Sequence, residues 1–382
     1  MALYMMISVL IGTYLGLRGA TLPNVAQQVN VGIGEIGIII TSGSTGLLLA
    51  NILAASIFDQ VKGHKIFALS AFLTMVGTAA IPMITTIAPL VILTFFIGAA
   101  GGLLLMGVNT LPLWISNKNS GMAMNAIQFS SGIGQLAGPL LASATLPIDG
   151  TVKWSFWICA AGFAIILPMS VLIKSPPIRQ VHQPSDHSNK LTKLNPMERK
   201  VIILLAVFML VYLGGEVSFA SWITTFAQSQ LPPIEINKSY TVTSIFWGFM
   251  IFGRLLSTVI SSKVKSRQIL TFDMIGIILS LVIIVFSAGH WTILIIGTAL
   301  LGLSMSSFFA SVFNYAEELM PVTGRLSSIL MMGASVGAIV FPVVLGKILA
   351  NSDPINIMVA LLMMMVFSGG IFFYLNLSVV RK

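Results

Sequence analysis

Charge is scarce in this sequence: only 8% of its 382 residues are Asp, Glu, Lys or Arg, against about one quarter in soluble proteins. A water-soluble surface cannot be covered at that density. Cysteine is scarcer still. The single Cys159 excludes an internal disulfide and a cysteine-rich metal centre, and leaves the redox compartment open. No phosphate-binding glycine loop, zinc-ligand spacing or hydrolytic nucleophile motif is present, which removes support from ATP-driven pumping and membrane-enzyme chemistry. His290 falls at a span boundary and His182 and His187 in a polar linker, so neither place builds a metal site.

Apolar residues are what the chain has in abundance, at 56% with a mean hydropathy of +0.98. They come in segments of about 20 residues, the length that crosses a bilayer as helix. The pattern predicts an all-α membrane protein with twelve spans, near 2–22, 34–58, 66–87, 90–113, 121–145, 154–173, 200–226, 241–261, 268–288, 291–314, 325–349 and 354–378. The first apolar stretch has no basic residue before Arg18 and no convincing cleavage site, and is read as a span and not as a removable signal.

The net charge of +9 would suggest nucleic acid in a soluble protein, but its distribution points to lipid and not to nucleic acid. Fifteen of the 20 Lys and Arg fall in the even-numbered loops, their helix ends or the C-terminus, whereas the odd loops hold only Lys153 and Lys238. The positive-inside rule then places the even loops and both termini in the cytoplasm. The sequon Asn237-Lys238-Ser239 falls on the other side.

The longest polar interruption, Lys174 to Lys200, is rich in Pro and basic residues and too poor in apolar ones to pack. It divides the chain into an N-terminal six-helix bundle (1–173), a cytoplasmic linker (174–199) and a C-terminal six-helix bundle (200–382). The halves repeat weakly at an offset of 203 residues, Ala50 facing Gly253, Lys62 facing Lys265, Gly121 facing Gly324, Gly134 facing Gly337 and Pro139 facing Pro342. Two bundles of like orientation with a central cavity form a common transporter plan. Runs such as Gly98 to Gly102, Ser130 to Pro139 and Gly333 to Gly337 suit close helix packing, and Pro139 and Pro342 would bend their helices.

A charge inside a span is costly unless it meets water, a partner or a polar cavity. Glu216 lies halfway along the seventh span, with Tyr212, Phe219 and Trp222 at helical spacing beside it. It reads as a transport-site or ion-coupling residue, with a structural partnership to another helix as the alternative. Desolvation and a nearby cation favour opposite protonation states, so such a carboxylate can exchange a proton. Arg18 lies toward the end of the first span, where the repeat offset carries Glu216 to Thr13, and the two charges either approach one another or both line the cavity; a headgroup position for Arg18 is the alternative.

Asn109 in the fourth span and Asn125, Gln128 and Gln135 in the fifth offer neutral donors and acceptors for a polyhydroxylated solute, or bonds between helices. Phe219 and Trp222 offer a platform for a sugar ring, or simply anchor the span. Glu317 and Glu318, with Asn314, close the tenth span as a gate or loop network, and Asp273 is expected to balance Lys265 or Arg267.

These residues carry a resemblance. The stretch F-D-Q-V-K-G-H-K, Phe58 to Lys65, resembles the acidic and basic loop motif of the major facilitator superfamily, with Asp59, Gly63 and Lys65 in place and His64 where a basic residue is usual. Its second-half counterpart keeps Gly253-Arg254 but has Ser262 where the acid would fall. Y-L-G-G-E-V-S-F-A-S-W (Tyr212 to Trp222), N-A-I-Q-F-S-S-G-I-G-Q-L-A-G-P-L (Asn125 to Leu140) and G-L-S-M-S-S-F-F-A-S-V-F-N-Y-A-E-E (Gly302 to Glu318) are similar to the fucose permease and sodium-dependent glucose transporter branch.

The resemblance implies secondary active transport of a hexose or related small solute by alternating access, coupled to sodium or protons in characterised members, with no other cofactor. It implies gating by Asp59, Gly63, Lys65, Arg254, Glu317 and Arg325, and a monomer in the plasma membrane. The fourth-helix acid of the fucose permease is replaced by Asn109, which shifts the coupling role to Glu216. An uncoupled uniporter and a non-transporting nutrient sensor or scaffold are the rival readings.

Overall fold

The computed structural model describes residues 1–115, 120–176, 196–261, 263–287, 289–320 and 324–379. The described chain is all-α and falls into two compact units, Met1–Ser188 and Asn189–Lys382.

The first unit contains α1 (Ala2–Ala20), α2 (Leu22–Gln28), α3 (Ile38–Gln60), α4 (Gly63–Ala80), α5 (Ile87–Ile115), α6 (Ser120–Asp149) and α7 (Lys153–Leu172). The second contains α8 (Pro196–Ser229), α9 (Ser239–Ile260), α10 (Ser266–Val285), α11 (Trp291–Met305), α12 (Phe308–Leu319), α13 (Gly324–Asn351) and α14 (Ile355–Val379). Long helices are what these apolar runs must form, because in lipid each backbone N–H and C=O needs a partner within its own segment. Among the described residues ten helices are long and apolar enough to cross a membrane. The segment over α3 is shorter, with an apolar stretch of Ile38–Ala54, and α6 is diluted by its amides, serines and glycines and is not among the ten.

The outer faces confirm the solvent. Leu172 is 82% exposed, Phe286 76% and Ile52 65%, exposures that suit acyl chains and not water. Aromatic residues fill the interior of the second unit: Tyr212 stacks on Phe308, Phe208 on Phe372, and the fully buried Trp222 donates its indole N–H to the Pro342 carbonyl at 2.9 Å. That burial makes Trp222 and Phe219 part of the packed interior of α8, not an open platform.

Small residues set which helices meet. In the first unit α1 packs along α6, α3 along α5 and α4 along α7; in the second α8 packs along α13, α9 along α11, and α10 against both α11 and α14. A Cβ on Gly134 would overlap the Val9 carbonyl of α1, and one on Gly337 would overlap the Leu210 carbonyl of α8. The repeat offset relates Gly134 to Gly337, so each unit places a close backbone approach at the same step of the offset.

Two elements depart from the expected pattern. The tenth apolar segment is broken at Ser306-Ser307 between α11 and α12, and the first ends at Ala20 with the short α2 beyond it. His64 is buried at the start of α4, with its ring between the Tyr4 hydroxyl of α1 (3.1 Å) and the Ile173 carbonyl after α7 (2.9 Å) and stacked on Phe67. The motif's unusual histidine thus ties three helices at one end of the first unit.

Candidate functional site

Buried charge in the second unit is concentrated around the break between α11 and α12. Tyr212 of α8 is fully buried and donates its hydroxyl proton to the Met305 carbonyl at 2.7 Å, on the last residue of α11. Two residues on, Ser307 donates to Asp273 Oδ2 of α10 at 2.6 Å. Glu216 follows Tyr212 by one turn of α8 and is half-buried. Arg254 of α9 is half-buried, its guanidinium donating to Met250 Sδ at 3.5 Å.

A phenol has one O–H to give, and Tyr212 gives it to the Met305 carbonyl, so this bond ties α8 to the end of α11 one turn before Glu216.

Asp273 sits 8% exposed with Ser307 as its hydrogen-bond partner, and among the described residues no ion pair joins it to Lys265 or Arg267. The expectation that it balances those loop cations is corrected: α10 carries it inside the bundle, about two turns beyond the loop. Sequence reasoning also passed over Tyr212, Met305 and Ser307 as a set. The one available signal was the Ser306-Ser307 pair inside an otherwise apolar segment, a place where hydroxyls can replace lost backbone bonds.

In the first unit, Asn109 of α5 is half-buried and its Oδ1 has no hydrogen-bond partner. Gln135 of α6 makes only a 3.5 Å contact to Ser131 Oγ and leaves a buried Oε1 unpartnered. Asn125 and Gln128 share an exposed stretch of α6. Gly63 packs against Leu111 of α5, Lys65 is exposed, and Glu317 is exposed near the end of α12. The side chains of Asp59 and Arg325 lie outside the described residues. No cluster of three or more His, Cys, Asp or Glu able to hold a metal occurs among the described residues.

The pattern of the Major Facilitator Superfamily matches residues 4–342. The chain belongs to the major facilitator superfamily. Curated relatives include sodium-dependent glucose transporter 1 of Xenopus laevis, 25% identical with 87% of this chain and 72% of that protein covered. Sodium-dependent glucose transporter 1A of Mus musculus is 24% identical, with 88% and 86% covered. Among solved structures, a mutant of nucleoside transporter NupG superposes with a TM-score of 0.82 at 15% identity over 97% of this chain and 98% of that one. A bacterial homolog of the human lysosomal transporter Spinster superposes at 0.74 and 12% identity, over 99% and 97%. Superfamily membership makes this chain a secondary transporter that moves a small solute across a membrane by alternating access, and not an enzyme.

Proposed function

We propose that the protein carries a hexose or related polar solute across the plasma membrane, driven by a sodium or proton gradient, with Glu216 as the coupling residue. The observation that carries this reading is the Tyr212 hydrogen bond to the Met305 carbonyl at the helix break, one turn of α8 before Glu216. A cation taken up or lost at Glu216 acts on the turn of α8 that restrains the α11–α12 break. Relatives named as sodium-dependent glucose transporters over most of the chain support the sugar and the ion. Asn109, Asn125, Gln128 and Gln135 supply donors and acceptors for hydroxyls, while buried Phe219 and Trp222 hold α8 in place behind Glu216. Within this proposal the chain crosses the membrane twelve times, as two six-helix bundles (1–173 and 200–382) joined by the 174–199 linker, with both termini cytoplasmic. Asp59, Gly63, Lys65, Arg254, Glu317 and Arg325 act in gating, and the carrier works as a monomer.

Uptake of labelled monosaccharides into proteoliposomes, with and without sodium and pH gradients, tests the proposal. Gradient-stimulated sugar flux supports it. Sugar flux indifferent to both gradients would establish a uniporter, and no flux above empty vesicles across a broad solute panel would remove the transport of sugars. Glu216→Gln is expected to abolish gradient-driven accumulation while leaving counterflow.

A further inference from the structure

The first unit holds a charge within its own first span, and it is of the opposite sign. Arg18 of α1 borders a cavity of about 40 Å3 inside the bundle, lined also by Tyr14, Ser44 and Thr74 and by the backbone at Gly98 and Gly101. That volume exceeds what a single water needs. Open space at its edge is independently evident at Gly101, where an added Cβ would meet nothing within 4 Å.

Three features set the chemistry of an occupant. A guanidinium offers only donors, and among the described residues no acid lies within ion-pair distance of Arg18. Tyr14, which lines the same cavity, is 5% exposed, and its buried hydroxyl has no hydrogen-bond partner among the described residues. Arg18 is pressed against Gly43 of α3, whose added Cβ would lie 2.6 Å from a guanidinium nitrogen, so the group is held in place by packing. An unpaired guanidinium and an unpartnered hydroxyl beside a small void create a demand for a compact negative charge.

We propose that this cavity binds a small monovalent inorganic anion of the size of chloride, with Arg18 as the charge partner and Tyr14 as the hydroxyl donor. Thr74 cannot serve as readily, because its hydroxyl is already given to the Ser70 carbonyl at 2.8 Å. The volume selects against a sugar or nucleoside, and the anion is a resident counterion of the first unit. This site is independent of the coupling role proposed for Glu216.

The test is thermal unfolding of the purified full chain in detergent, titrated with sodium chloride replacing sodium gluconate at constant ionic strength. A saturable rise in melting temperature with chloride is expected, reproduced by bromide, and 35Cl line broadening should saturate over the same range. Arg18→Gln should weaken the effect more than tenfold, Tyr14→Phe severalfold, and Gly101→Val should abolish it by filling the void with both donors intact. Equal melting of the wild type in chloride and gluconate would overturn the proposal. So would wild-type saturation in both Tyr14→Phe and Gly101→Val, which keeps the test decisive if Arg18→Gln fails to fold. Saturation by acetate but not by halide would overturn the halide assignment. No gradient is used, so the outcome is separate from that of the uptake assay.

Discussion

The two units share a packing frame and differ in where they place charge. At the 203-residue offset Glu216 corresponds to Thr13, Arg254 to Asn51 and Asp273 to Ser70, while Arg18 corresponds to Ser221. Each buried charge in one unit thus has a small or neutral polar residue in the other. The neutral partners satisfy themselves locally, Thr13 donating to the Val9 carbonyl at 2.9 Å and Ser221 to the Val217 carbonyl at 2.7 Å. A hydroxyl in a helix can return its proton to the preceding turn. A carboxylate or guanidinium has no such option and must recruit another helix, an ion or the solute. Matched positions share a packing frame, while the charges within the spans fall on only one member of each pair.

The strongest way to break this comparison is to attack the shared frame. Gly134→Leu and Gly337→Leu should both abolish folded, monodisperse protein by size-exclusion chromatography, because each adds side-chain atoms where backbone already touches. Overpacking costs about 1–3 kcal/mol even where neighbours can give way, and a carbonyl oxygen gives way less. Equal loss in both variants supports an equivalent frame; tolerance at one position alone would show that the seams differ.

Next in size is the charged position against its neutral counterpart. Glu216→Gln should lower gradient-driven accumulation by more than tenfold with counterflow retained, whereas Thr13→Val should leave uptake within about twofold, since its hydroxyl only caps its own helix. A comparable loss in Thr13→Val would put the coupling role on both units.

Smaller effects come from Asp273 and Ser307. Ser307→Ala removes a hydrogen bond to a carboxyl group, which is expected to cost about 1.5–3 kcal/mol in thermal or denaturant unfolding. A double-mutant cycle with Asp273→Asn should give a coupling of about 0.5–3 kcal/mol. Strict additivity would mean that the α10 contact does not hold the helix break.

The smallest effect belongs to the surface pair at the end of α6. Asp149 is held at about 2, below the usual carboxylate value, by hydrogen bonds from the Lys153 side chain, 2.6 Å away, and from Thr151. A depressed carboxylate stabilises the fold above its unfolded value of about 3.9 and loses that contribution as the pH falls toward 2. Asp149→Asn should therefore give a slight destabilisation at neutral pH that fades as the pH falls from about 4 toward 2, read as melting temperature against pH. A large shift would contradict the surface position of the pair, since solvent and salt screen it.

Particular residues show how far a linear reading reaches. Glu216 stood out in the sequence because an acid in an apolar run is costly wherever the run ends up. Tyr212 and Met305 did not, because a tyrosine and a backbone carbonyl are unremarkable until another helix brings them within 2.7 Å. Asp273 was assigned to nearby loop cations by sequence distance, and the turn of α10 gave it to Ser307. Trp222 looked like an available ring and proved to be fully buried against Pro342. Gly134 and Gly337 were legible as a matched pair, but the carbonyls they touch were not.

Sequence alone determined that this chain lives in lipid and that its backbone must be helical, and it carries matched Gly, Pro and Lys positions at a step of 203 residues. Those follow from local, additive properties: hydropathy, segment length and the need to satisfy each peptide group within its own span. Which charge meets which partner was decided by the tertiary structure, because partners such as Tyr212 and Met305 lie 93 positions apart and only the packing of α8 on the broken α11–α12 segment brings them together.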